Sequence, residues 1–198
     1  MVRRVIGLFS RPRQEWTRIK EESVPAFRLF FSFALAVAAV PPVFRFLAGL
    51  VYGHYRRPYS GWSWTIAGRE LLFSAALYIL SLMIVYLWAW AISIFGPVFS
   101  SRFPRGDSLK LAVVSMSPYW LAGVFYFVPD FGWALKVMTG IYGFYLLYLG
   151  FAVHFLETSR GKRLGYFVVS SLFGLILVAY VEVFLRLLFA FWGVLKIS

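Results

Sequence analysis

The sequence contains no cysteine, few acidic residues and only two histidines. Without thiols the chain can form no disulfide, no cysteine-based metal centre and no thiolate nucleophile. His54 and His154 lie a hundred positions apart, which is a poor arrangement for a histidine metal site. We therefore expect neither a metal nor a cofactor.

The eight acidic residues are scattered, and none of them belongs to a recognisable catalytic pattern. The sequence has no D-x-x-D, H-x-x-x-H or G-x-S-x-G motif and no glycine-rich loop that could cradle a phosphate. Catalysis at a membrane usually requires a buried acid-base pair, an activated nucleophile or a carboxylate cluster. The sequence therefore predicts a protein that is not an enzyme.

What the sequence has in abundance is apolar surface, since 61% of its residues are hydrophobic and only 14% are charged. A soluble domain has roughly 45–50% apolar residues. A hydrocarbon core ~30 Å thick is crossed by about 20 helical residues. Five apolar runs come near or exceed that length, at about 26–50, 71–95, 109–128, 133–156 and 164–192. We predict an all-α integral membrane bundle of five transmembrane helices.

The basic residues predict the orientation of the bundle. Six of them precede the first run, three lie between the second and third, and three between the fourth and fifth. Only four lie in the loops and terminus on the other side. Because cytosolic loops are enriched in Lys and Arg, we expect the N-terminus inside and the C-terminus outside. The net charge of +12 then indicates contact with anionic lipid headgroups, and we expect no nucleic-acid partner.

The segment before the first run is expected to lie on the inner membrane surface. In residues 10–22, Pro12 favours the first turn of a helix and Glu15 suits the helix dipole there. Trp16 and Ile19 fall on one side of that helix and basic residues on the other, which predicts a short amphipathic interfacial helix. A solvated basic tail is the alternative. We divide the chain into a cytosolic or interfacial segment, 1–24, and one transmembrane domain, 25–198.

Three stretches carry a resemblance to a known family. They are GLFSRPRQEWTRIKEE before the first run, SPYWLAGVFYFVP in the third, and IYGFYLLYLGFAV at 141–153 in the fourth. In order and spacing they resemble the bacterial Yip1-family membrane proteins over nearly the whole chain. The resemblance implies a five-helix bundle with a cytosolic N-terminus, in agreement with the charge count.

The resemblance also bears on function. Eukaryotic relatives work in membrane traffic, contact Rab-type GTPases and associate with one another, and they carry a longer cytosolic N-terminal region. For this chain we expect a multi-pass protein of the bacterial cytoplasmic membrane. It would organise the membrane through anionic lipids and a protein partner or a second copy of itself. The alternative is a small transporter or channel for an ion or an anionic small molecule.

Four charged residues lie inside the apolar runs at a similar expected depth near the outer boundary. Counting about 1.5 Å per residue places Arg45, Lys136, Glu182 and Arg186 within roughly a turn of one another. Glu182 and Arg186 are four positions apart, so their side chains can meet on one helix face. One reading is that Arg186 snorkels and neutralises its neighbour. We also consider a salt-bridge network between helices or a site for an anionic group such as a lipid phosphate.

The fourth run carries small residues on one face. At about 100° per residue, Gly140, Gly143, Gly150 and His154 fall on the same side as Lys136. Small residues let another helix approach closely in lipid, so this side predicts a helix-packing face. A proton relay through His154 and Glu157 is the alternative.

Prolines interrupt two of the runs. Pro41 and Pro42 in the first and Pro118 in the third remove backbone donors and predict kinks or breaks. In transporters such breaks line substrate sites, although proline is also common in membrane helices generally. We expect nearby serine, threonine or tyrosine hydroxyls to pair the freed carbonyls.

Overall fold

The chain folds into helices throughout the part that the computed structural model describes, which is residues 2–21, 25–56, 64–100, 104–128, 131–154 and 159–195. Those ranges contain no strand, so the predicted all-α fold is confirmed. The α-helices in chain order are α1 Val2–Ser10, α2 Pro12–Glu21, α3 Ala26–Leu29, α4 Leu35–Ala38, α5 Val40–Arg56, α6 Trp64–Phe95, α7 Arg105–Leu121, α8 Gly132–His154 and α9 Arg160–Leu195.

Five helical stretches are long and apolar enough to cross a bilayer, which confirms the predicted number of spans. We call them spans one to five: Ala26–Tyr52, Ala67–Phe99, Arg105–Phe127, Gly132–His154 and Arg160–Leu185. Helices suit a bilayer because they pair most of their backbone groups within the segment. The protein is therefore a multi-pass membrane protein.

Span three occupies the centre of the bundle. Its most apolar window is 67% buried inside the protein, against 22–33% for the other spans. Leu111, Val113 and Trp120 on this span have no exposed surface. Its mean hydropathy of 1.2 is also the lowest of the five. A helix that faces protein on most sides needs less apolar surface than one that faces lipid, which explains the difference.

Span one is interrupted in the way that its prolines predict. A π-helical segment, Phe30–Ala34, separates α3 from α4, and Ala39 forms a turn before α5 begins. Pro41 and Pro42 therefore lie in the first turn of α5, where a missing backbone donor costs no intrahelical bond. The break costs the bundle few hydrogen bonds.

Span three changes from α-helix to a 3₁₀ segment, Ala122–Phe127, just after Pro118. Pro118 has no N–H for the carbonyl of Val114, and the hydroxyl of Ser117 donates to that carbonyl instead at 2.7 Å. The 3₁₀ segment lies directly against the break in span one, because a Cβ on Gly123 would be only 2.5 Å from Cα of Pro41. The two proline-associated breaks thus pack against each other.

The N-terminal helices pack against the bundle. Trp16 and Ile19 of α2 are buried, and Nζ of Lys20 donates to the carbonyl of Val153 at 3.0 Å. The hydroxyl of Tyr142 donates to the carbonyl of Leu8 in α1 at 2.7 Å. The predicted helix of residues 10–22 corresponds to α2, and its position at a membrane surface stays a prediction.

Candidate functional site

Arg45, the first member of the predicted charge layer, pairs with an acid on the neighbouring span. Its Nη1 atom lies 2.9 Å from Oε2 of Glu70 at the start of span two. Its guanidinium also lies 4.9 Å from the centre of the Phe73 ring. Both charged side chains are mostly shielded, at 28% and 17% exposure. Arg45 thus joins spans one and two, a pairing that the sequence reasoning missed.

Glu182 and Lys136 take part in a second set of contacts. The hydroxyl of Tyr119 in span three donates to Oε1 of Glu182 in span five at 2.9 Å. Nζ of Lys136 in span four lies 3.5 Å from the centre of the Tyr126 ring, a cation-π geometry. The predicted partner Arg186 lies in α9, and its side chain is outside the part of the structure that is described. Spans three, four and five therefore meet around Glu182 and Lys136.

These two residues line one cavity of about 710 Å³ between spans three, four and five. Its walls are mostly aromatic and aliphatic, with Trp88 of span two also contributing. Val137, Ile141 and Leu175 line it and are each more than half exposed. The cavity therefore opens sideways between spans four and five, toward the surrounding lipid. Arg45 is not among the described residues of its wall.

Glycines form part of the cavity wall. Gly140, Gly143 and Gly174 line it without side chains. A Cβ on Gly140 would meet nothing closer than Cδ2 of Tyr119 at 3.9 Å, so this position is open. A Cβ on Gly174 would lie 2.5 Å from Trp88, so that ring fills the space beside span five. The wall is therefore open beside Gly140 and filled by Trp88 beside Gly174.

One polar group in this apolar wall has no partner among the described residues. Ser115 of span three is 2% exposed, and its hydroxyl neither donates a hydrogen bond to the described residues nor accepts one from them. A buried hydroxyl without a partner costs about 1–3 kcal/mol, so such groups usually meet a ligand or a water molecule. Because Ser115 lines the cavity, a polar atom of an occupant could pair with it.

The predicted packing face of span four meets several different neighbours. A Cβ on Gly143 would lie 2.5 Å from the backbone carbonyl oxygen of Ser115, so spans three and four touch there. Gly150 faces Leu111 and the ring of Trp16. Nδ1 of His154 lies 2.9 Å from the carbonyl oxygen of Gly150 in the same helix. Gly140 instead faces the cavity.

The remaining sequence candidates lie elsewhere or beyond the described residues. Pro41, Pro42 and Pro118 are absent from the described wall of the cavity. Glu157, the partner of His154 in the alternative proton relay, lies outside the described residues. Tyr119 and Trp88 were not predicted as site residues, because an aromatic side chain in an apolar run carries no signal of its own.

The comparisons with known proteins agree with this architecture. No match was found among curated proteins or among solved structures. The family model described as the Yip1 domain matches residues 6–194, which is nearly the whole chain and includes all five spans. The chain therefore belongs to the Yip1 domain family.

Proposed function

We propose that this is a non-enzymatic membrane-organising protein that acts through lipid and protein contacts in the bacterial cytoplasmic membrane. The observation that carries the proposal is the cavity between spans three, four and five, which opens toward lipid and has an apolar wall with charged and polar groups. A phospholipid has the same division between an apolar chain and a polar headgroup. We propose that one phospholipid occupies this cavity.

The length of the cavity fits one leaflet. Along span four its wall extends from Gly132 to Phe144. At ~1.5 Å per residue this is about 18 Å, slightly more than half of a ~30 Å hydrocarbon core. Its volume is also within the ~300–1,000 Å³ of typical small-molecule sites. A lipid of the leaflet at the beginning of span four could place an acyl chain along the glycines.

The charges lie where the headgroup of such a lipid would be. Lys136 is one turn from the start of span four, and Glu182 faces the same cavity from span five. A phosphate is attracted to the ammonium group, and a headgroup amine to the carboxylate. Charged groups at membrane depth normally face protein or a polar occupant, which supports this assignment.

The nature of the wall favours binding over transport. A transporter or channel for an ion or an anionic small molecule requires a hydrated polar path. Most of this wall is made of groups such as Phe144, Val178 and Leu175, which do not favour water or ions. The apolar wall therefore supports a lipid as the occupant.

A photoactivatable phospholipid tests the proposal. The lipid carries a diazirine in its acyl chain and is reconstituted with the protein in nanodiscs. We expect crosslinks to concentrate on peptides from α8 and α9 that line the cavity. Gly140→Leu fills the open position beside Tyr119, so it should lower crosslinking at these peptides by about tenfold, the equivalent of ~1.4 kcal/mol of binding free energy.

The control is Gly68→Leu in span two. An added Cβ there meets no described atom within 4 Å, and Gly68 is not among the described residues of the cavity wall. Its crosslinking should match that of the unmodified chain. Equal labelling of all lipid-facing helices, or full labelling of the Gly140→Leu variant, would contradict the proposed lipid site.

A further inference from the structure

A second cavity lies at the opposite end of span four from Lys136, and basic side chains line it. It has a volume of about 990 Å³ and lies between α2, the end of span four and the start of span five. Basic residues reach it from two separate elements, with Arg13 and Lys20 on α2 and Arg160 and Arg163 on α9. The acidic residue among its described lining is Glu21. Among the described lining residues, four basic side chains thus accompany one acidic side chain.

Helix α2, which forms one wall of this cavity, is held against span four by specific contacts. Nζ of Lys20 donates to the carbonyl of Val153, in the last turn of span four. The buried ring of Trp16 lies against Gly150 on the same turns of that span and meets the His154 ring edge-on at 6.0 Å. These contacts hold α2 against span four, so the arginine on α2 faces those of α9 in the folded chain.

Part of the wall of this cavity is apolar and lies below the end of span four. Tyr148, Leu149 and Ala152 of span four line the cavity together with the basic residues. Tyr148 is six residues before the end of span four, which corresponds to about 9 Å below that end. The basic part of the wall attracts phosphate, and this apolar part suits the glycerol and first acyl carbons of a lipid.

We infer that the basic cavity between α2, span four and span five binds the headgroup of a lipid that carries two phosphate charges. The inference deepens the proposed lipid role but uses a separate site on the side predicted to be cytosolic. Four basic side chains that reach the cavity from two separate elements can contact two phosphates better than one. Arginine provides planar, bidentate hydrogen bonds to phosphate oxygens, which sets this site apart from a general attraction to the membrane surface.

Lipid retention in detergent tests the inference. The purified chain is mixed with cardiolipin or, at the same phosphate charge, with phosphatidylglycerol, and bound lipid is measured by native mass spectrometry. We expect tighter binding of cardiolipin. Each basic residue contributes about 1 kcal/mol, so Arg160→Gln should weaken cardiolipin binding about fivefold and the double variant with Arg163→Gln about 25-fold.

Arg105→Gln is the matched control. Arg105 is also exposed and begins α7 on the same side, and it is not among the described residues of the cavity. Cardiolipin binding to this variant should be unchanged. If Arg105→Gln weakens binding as much as Arg160→Gln does, the effect is general charge and the site is refuted. If the double variant retains cardiolipin, the site is also refuted.

Three further measurements make the result decisive. Inorganic pyrophosphate at millimolar concentration should not displace cardiolipin, because it has no apolar part, and displacement would identify a soluble anion as the ligand. Arg163→Lys keeps the positive charge. It replaces Arg163→Gln in the comparison if the glutamine variant unfolds at a lower temperature than the parent chain. It should retain binding better than Arg163→Gln does, and equal loss would overturn the role of charge.

Gly140→Leu should leave cardiolipin binding intact, so a failure of the first lipid site is distinguishable from a failure of this one.

Discussion

Gly143→Ala tests whether spans three and four are in backbone contact. The added methyl carbon would lie 2.5 Å from the carbonyl oxygen of Ser115. A relaxed C–H···O contact is about 3.3–3.6 Å, so the two spans would have to separate by about 1 Å. Because the obstacle is a backbone atom, no side-chain rotation can relieve the clash. Overpacking of this kind typically costs about 1–3 kcal/mol, and we expect a value near the upper end.

Gly140→Ala provides the matched comparison three residues away on the same helix. A Cβ there would be 3.9 Å from Tyr119, an ordinary contact. Both substitutions gain the same ~1 kcal/mol of helix propensity from replacing glycine with alanine. The difference in unfolding free energy between the two variants therefore isolates the clash. Gly143→Ala should be destabilised relative to the parent chain, and Gly140→Ala should be as stable as the parent or more so.

Unfolding in mixed micelles measures this difference. The denaturing detergent fraction is increased stepwise, and helix loss is followed by far-ultraviolet circular dichroism. The reasoning is refuted if the two variants unfold at the same detergent fraction, because spans three and four would then have room for a methyl group at Gly143.

Two other predictions concern the charged pair and the N-terminal segment. Arg45→Met and Glu70→Met should each lower the unfolding free energy by about 1–3 kcal/mol, because each leaves a mostly shielded charge without its partner, and the double variant should lose less than the sum. Additive losses in the mixed-micelle assay would show that the pair is not coupled. Trp16→Ala should remove about 3–5 kcal/mol of packing and expose α2 to trypsin. Unchanged cleavage at Arg13 and Arg18, with the tryptophan-to-phenylalanine variant as control, would contradict the packing of α2 on span four.

The number of spans could be predicted because the bilayer imposes a minimum length on every apolar run. The five predicted runs and the five observed spans overlap throughout. The break after Pro118 was also readable, since a proline always frees the carbonyl four residues earlier. Which hydroxyl pairs that carbonyl depends on local geometry, and Ser117 does so rather than Ser115.

The partners of the charged residues could not be predicted. Counting residues from the membrane boundary gives the depth of a side chain but not its neighbours around the bundle. Arg45 and Glu182 were therefore grouped by depth, whereas Arg45 contacts Glu70 on the adjacent span. Glu70 was assigned to no site, and it falls just before the predicted second run, which begins at about residue 71. An acid at the start of one span and a base near the end of the preceding span were the available signal.

Helix α1 also escaped the sequence reasoning. Its apolar residues are too few for a membrane span, so no length argument predicted a helix there. Val5 and Leu8 nevertheless have the spacing of one helix face, and Leu8 is buried. Its contact with Tyr142 joins residues 134 positions apart, which no local pattern could have indicated.

That long-range contact has a consequence for biosynthesis. Helices α1 and α2 leave the ribosome before span four, yet span four provides the Tyr142 hydroxyl that pairs the carbonyl of Leu8 and the surface at Gly150 that lies against Trp16. At ~5–20 residues per second, the nascent chain must keep these apolar groups uncovered for several seconds. The lipid surface or a chaperone has to shelter them until the fourth helix has been inserted, so completion of the N-terminal packing is among the last events of assembly.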